Sequence, residues 1–175
     1  MNIGDLYNRN GLKGVVISVD ASVSHGLIMS LNKHHCQWYN GSSDVNTGAR
    51  HPFDGKQNQD LILSRYSPYS YPAFRWCANL GDGWYLPAIG ELRPLCEASN
   101  LSAVERTLKI YGEPLFSGQN YADLYLSSTE GDVNGMTYDT DHTMVQVFCV
   151  SEQGGSISSD TKRSDYEYAR AVHRF

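Results

Sequence analysis

Four consecutive residues, Asp139-Thr140-Asp141-His142, carry three side chains able to bind a metal. In an extended strand Asp139 and Asp141 would share one face and His142 would turn to the other. Carboxylates are hard oxygen ligands, so calcium is the metal weighed for this run. An EF-hand loop wants oxygen ligands at alternate positions, a central glycine and a closing glutamate. Residues 132–143 lack that order, and the run reads as a solvated loop with no cofactor expected. His34-His35-Cys36 would open a zinc site, but no second ligand pair follows at a suitable spacing. Ser127 and Ser128 stand at a strand end without the Gly-x-Ser-x-Gly elbow of a nucleophilic serine. The six histidines are scattered, with no spacing that marks a general base. Glu91 and Glu130 could form an acid/base pair. The reading preferred for them is structural, with Glu130 paired to Arg170 or capping a turn. No catalytic residue is assigned, and the chain reads as non-enzymatic.

Aromatic residues offer a different chemistry. The chain has 12 tyrosines and 3 tryptophans. Trp76 and Trp84 lie among apolar neighbours and are expected in the core. Tyr121, Tyr125, Tyr138, Tyr166 and Tyr168 lie instead among Asn, Asp and Ser. A tyrosine in such company supplies rigid contact area and a hydroxyl, which suits recognition. The ligand-binding candidates are therefore Tyr138, Asp139, Asp141, His142, Ser158, Asp160, Tyr166 and Tyr168.

Composition sets the bounds. At 175 residues one domain is expected, with 41% hydrophobic and 19% charged residues, a globular balance. Net charge is -5, so no basic face is expected for nucleic acid or anionic lipid. No apolar run reaches the ~20 residues of a membrane span. The opening MNIGDLYNRN has no basic and apolar leader, so no signal peptide is expected in this chain. Cys36, Cys77, Cys96 and Cys149 make no CxxC pair. Spacing selects none of their three possible pairings. Cys77 and Cys96 have apolar neighbours and read as buried free thiols.

These residues need elements to hold them. Val15 to Val19 and Leu27 to Leu31 read as an N-terminal hairpin within residues 1–31, preceded by a turn over Tyr7 to Gly11. Residues 32–71 carry little periodicity beyond a short element near Asp60 to Leu63, and read as a long ordered loop region. Residues 72–175 hold helices and a C-terminal sheet. Ala73, Phe74, Trp76, Cys77 and Leu80 form an apolar stripe after Pro72. Gly81-Asp82-Gly83 ends that helix, Trp84-Tyr85-Leu86 is a short strand, and Pro87 opens a helix carrying Ile89, Leu92 and Leu95 inward. Pro94 should split that helix near Leu92. Ser102 and Glu105 have capping-box spacing, which predicts a helix start at Ser102. Tyr125 to Thr129, Met144 to Val150 and the alternating tail Tyr168 to Phe175 read as strands.

Three of these stretches carry a family resemblance. Gly83-Trp84-Tyr85-Leu86-Pro87-Ala88-Ile89-Gly90-Glu91-Leu92 resembles the "GWRLPTxxEL" signature of bacterial DUF1566 domains, also called Legionella collagen-like C-terminal domains. Tyr125 to Glu130 (YLSSTE) resembles their "YWSSTE", and Ala169 to Phe175 their closing "VRxVRxF". The opening resembles the first hairpin of gut-Bacteroidetes members. The motif residues are Trp76, Trp84, Leu86, Pro87, Glu91, Leu92, Ser127, Ser128, Glu130, Arg170, Val172 and Phe175. The resemblance implies an α+β, C-type-lectin-like fold with a small, mostly antiparallel sheet, two or three helices and long irregular loops. It implies a non-catalytic binder of a protein or glycan at the cell surface or envelope, using late loops that diversity-generating retroelements vary in some relatives. An envelope structural or adhesion component without a discrete pocket is the runner-up. The calcium motifs of sugar-binding C-type lectins are absent. So is the second late cysteine that a formylglycine-generating enzyme would need beside Cys149.

Overall fold

Asn10 and Gly11 both have positive φ, 53° and 81°. Two such residues in a row make the tight turn whose twist matches paired strands, and glycine adopts it without strain. The turn joins β1 (Leu6–Arg9) to β2 (Leu12–Val19), with Arg9 opposite Leu12. β3 (Gly26–Met29) follows on the other side of β2, past a register shift between Val16 and Ser18. The N-terminal unit is thus a three-stranded meander, one strand more than the expected hairpin. Tyr7-Asn8-Arg9 belongs to the edge strand, where polar residues face water and hide the alternation. The computed structural model describes residues 1–22, 25–43, 45–118, 121–131, 144–165 and 167–175.

The chain continues through β4 (His34–His35), α1 (Gly55–Arg65), α2 (Pro72–Ala78), β5 (Trp84–Tyr85), α3 (Ile89–Leu92) and α4 (Ala98–Tyr111). It ends in β6 (Asp123–Glu130), β7 (Met144–Ser151), β8 (Gly154–Thr161), β9 (Glu167–Ala169) and β10 (Val172–Arg174). The fold is α+β. One sheet has the order β1-β2-β3-β10-β5 and the other β4-β9-β6-β7-β8. Every pairing is antiparallel except β6 with β9. No helix among the described residues is long and apolar enough to cross a membrane.

Helix α1 corrects the reading of residues 32–71 as loop. Its inward positions are Gly55, Asn58, Gln59 and Ile62, a helical spacing written mostly in polar residues. Asp54 caps it by accepting from the Gln57 amide. Gln59 then replaces a missing strand. Its side chain donates to the Trp84 carbonyl and accepts from the Leu86 amide, both at 3.0 Å. Asn58 likewise donates to the Ser128 hydroxyl and accepts from the His51 amide. An apolar-periodicity search cannot see a helix that packs through amides.

Pro94 does split the helical run: α3 stops at Leu92, and a 3-10 turn covers Arg93–Cys96. α4 starts at Ala98, so Ser102 lies inside it and makes no cap. Glu105 turns instead to the Leu115 amide, 2.7 Å away. Leu80 lies beyond the end of α2 and is exposed. Trp76 is half-buried, its ring stacked on His34 at 5.6 Å, while Trp38 takes the interior position. Cys77 and Cys149 are buried, Cys36 is half-buried, and Cys96 is exposed at the end of its 3-10 turn; all four are free thiols.

The C-terminal tail is two strands, not one. β9 belongs to the second sheet and β10 to the first, with Arg170-Ala171 crossing between them. β10 lies between β3 and β5, setting Val172 opposite Met29 and Tyr85. Val172 and Leu86 are buried with no exposed surface, and the Phe175 ring packs on Tyr7 at 4.6 Å. Gly83, at φ 83°, lies so close to His173 that a Cβ there would stand 2.4 Å from its Nε2.

Candidate ligand-binding cleft

Tyr168 follows Glu167 on the short strand β9, which is held on one side by β4 and on the other by β6. Register puts Tyr168 opposite Tyr125, ring centroids 5.7 Å apart, and His35 lies 5.4 Å from the same ring. The Lys33 ammonium stands 4.3 Å from the Tyr168 centroid and donates to the Tyr125 hydroxyl at 3.1 Å. Burial lowers the Lys33 pKa, and the charge of Asp123 opposes that. Beside Tyr168 opens a cleft of about 500 Å³, walled by Ser117, Tyr121, Asp123, Leu124 and Asp160. Tyr121 is 85% exposed and presents its ring to solvent. Asp123 is tied down, accepting from the Ser117 amide at 2.5 Å.

Behind the wall sits a residue of another kind. Glu167 is fully buried, and neither carboxylate oxygen has a hydrogen-bond partner. It stands opposite Leu124, on the same face of the sheet. Burial is the largest cause of its raised pKa, pushed up to about 8; the nearby Asp160 adds to it and the Ser164 hydroxyl works against it.

Of the candidates named from sequence, Asp160 and Tyr168 meet in this cleft. Ser158 is exposed two residues before Asp160 on β8. Tyr138, Asp139, Asp141, His142 and Tyr166 lie outside the described residues. Ser117, Asp123, Lys33 and Glu167 were not singled out from sequence. Ser-Asp-Tyr-Glu-Tyr reads as polar surface, and only the pairing of β9 with β6 reveals that Glu167 turns inward.

The two motif glutamates have no partner in common. Glu130 is buried and accepts from Lys162 and from the Thr47 and Gly48 amides, both at 2.9 Å; Arg50 Nε is 3.6 Å away. Its cation is therefore Lys162 and not Arg170 as expected from sequence. Buried Arg170 donates instead to the carbonyls of Ser30, Leu31 and Glu113. Glu91 accepts from the Tyr85 hydroxyl at 2.8 Å and from the Ala88 and Gly55 amides. Burial raises the Glu91 pKa, and the Ala88 amide is the largest influence against it. Both carboxylates hold main chain, which is work for scaffold residues. Ser127 and Ser128 are buried, with the Ser127 hydroxyl donating to the Gln146 carbonyl at 2.7 Å. Among the described residues no three His, Cys, Asp or Glu side chains gather as a metal site.

No family model and no curated protein matches this chain.

The three stretches that carry the resemblance nonetheless meet in space. The Pro87 carbonyl accepts from the Ser128 amide at 2.7 Å, the Ile89 amide donates to the Thr129 hydroxyl at 3.1 Å, and Trp84-Tyr85 pairs with Val172-His173.

Proposed function

We propose that residues 1–175 form one C-type-lectin-like domain of DUF1566 type that binds a protein or glycan ligand without catalysis. The observation that carries the reading is the cleft bringing Tyr121, Tyr168, Asp123 and Asp160 together in the last third of the chain. The exposed ring of Tyr121 and the half-buried ring of Tyr168 give stacking area, and carboxylates beside them accept from hydroxyl or amine donors. The motif residues lie apart from it, in the packed junction of the two sheets, which fits a rigid scaffold with a separate recognition face. The buried Cys149 thiol, its pKa raised by burial, is a poor nucleophile and fits a binder better than a formylglycine-generating enzyme.

The test is a glycan array and a surface-protein panel run with the parent protein, Tyr121→Ala and Tyr168→Ala. A genuine ligand should lose roughly tenfold or more with each substitution, since aromatic anchors dominate such sites. Tyr121 is so exposed that its loss should leave the fold intact, which thermal unfolding checks. Ligands retained at full strength by both variants would remove this cleft as the binding face.

A further inference from the structure

We propose that Lys33 is a nucleophilic amine, a covalent modification site that takes up small aldehydes as imines. Lys33 stands outside the lining of the cleft, so the site does not depend on the ligand read there.

The chain has five lysines, and their surroundings differ. Lys56 is paired with Asp60 at 2.5 Å, Lys109 lies 3.8 Å from Glu105, and buried Lys162 is held by Glu130. Lys13 is exposed. Lys33 alone is half-buried without an ion pair among the described residues. Three carboxylates act on it by charge, yet each is engaged elsewhere. Asp123 accepts from the Ser117 amide, Glu113 from the Lys33 main-chain amide at 2.8 Å, and Glu105 from the Leu115 amide at 2.7 Å.

Lys33 also shares a ring with a second cation. Its ammonium is 5.6 Å from the Tyr125 centroid, and the Arg170 guanidinium is 5.9 Å from the same point. Arginine keeps its charge, so their repulsion is relieved only when Lys33 gives up its proton. The faces of Tyr125 and Tyr168 attract the ammonium and oppose that loss. Burial is the largest influence, and the net direction is a lowered pKa. A lysine desolvated beside another cation is the activated form that condenses with carbonyl compounds.

The hydrogen bonding suits the neutral amine. The Tyr125 hydroxyl donates to the Leu115 carbonyl at 2.7 Å and accepts from Lys33 at 3.1 Å. A neutral amine keeps that bond through one N–H, and its lone pair is left for a carbonyl carbon. Attack forms the C–N bond. The nitrogen then loses its protons as the carbonyl oxygen leaves as water, and the imine forms with no electrons gained or lost overall.

The probe is acetaldehyde with cyanoborohydride near neutral pH, which reduces each imine to a stable N-ethyl group, followed by peptide mass spectrometry. Lys33 should be labelled at least several-fold faster than exposed Lys13. The midpoint of its rate-against-pH profile should lie below that of Lys13. In urea that unfolds the chain both differences should vanish, since burial and Arg170 then no longer act. Lys33 labelled no faster than Lys13, or a midpoint at or above that of Lys13, would overturn the proposal. So would a preference that survives unfolding, because the adjacent His34 and His35 would then explain it by sequence alone.

Discussion

A carboxyl group sealed from water holds its proton more tightly than one in the unfolded chain. Glu167 is in that position, and the groups facing it are Asp160 from β8, Ser164 from the β8–β9 connection and Cys36 beyond β4. Its folded pKa is pushed up to about 8, while an unfolded glutamate titrates near ~4.3. The raised folded value fixes the sign. The folded state keeps the proton longer, so this group's contribution is fully present below the unfolded pKa. It is lost as pH climbs through the window ending near the folded value. Glu167→Gln carries no such charge, so at pH 9 it should be more stable than the parent by about 1–3 kcal/mol. At pH 4, below both values, the two should nearly match. Urea unfolding at both pH values reads this, and parallel stability curves would contradict it. At this scale the sequence shows apolar burial well, as at Leu86, Leu92 and Val172, all in the core. It does not show Glu167 or Lys162, whose burial depends on strand register and on a distant partner. It also placed Trp76 too deep, because a tryptophan on an apolar stripe can still sit at its margin.

Helix α1 shows why the element scale was only partly legible. The β2–β3 hairpin, β6, β7 and the helix–turn–strand run around Trp84 all follow from apolar alternation, Gly-containing turns and Pro72. α1 does not, because its inward face bonds rather than excludes. Gln59 completes β5 in place of a strand, so its amide holds the signature segment to the helix. Gln59→Leu keeps the volume and removes both bonds, leaving the Trp84 carbonyl and Leu86 amide unpaired in the core. With each of the two orphaned groups costing about 1–3 kcal/mol, the loss should total about 2–6 kcal/mol. Hydrogen exchange at the Leu86 amide should quicken with the global loss. Unchanged stability and exchange would mean that another group or a water had taken the amide's place. The same reasoning explains the tail: its residue alternation was visible, but the break at Arg170-Ala171 was not, since nothing local marks a strand that changes sheets.

That change of sheets is what ties the molecule together. β9 and β10 are three residues each, yet one flanks the candidate cleft and the other fills the gap between β3 and β5. Arg170 sits at the crossing, 1% exposed, and its guanidinium ties carbonyls from the end of β3 and from the segment after α4. A guanidinium has five fixed donors, so it can gather three carbonyls that no hydrophobic side chain would satisfy. Arg170→Met should therefore leave the Ser30 and Glu113 carbonyls without that donor, the Leu31 carbonyl keeping the Glu113 amide, and cost about 3–5 kcal/mol. The damage should not stay local. Tyr168, two residues back, owes its place between Lys33 and His35 to the position of β9. Ligand affinity in the cleft should then fall in Arg170→Met even under conditions where the variant is fully folded. Arg170→Lys should recover little of either property, because one ammonium cannot reproduce the planar fork. Unfolding curves and ligand titrations on the same samples separate the two effects. A variant that loses stability while binding at parental strength would show that the crossing holds the sheets together but does not set the cleft.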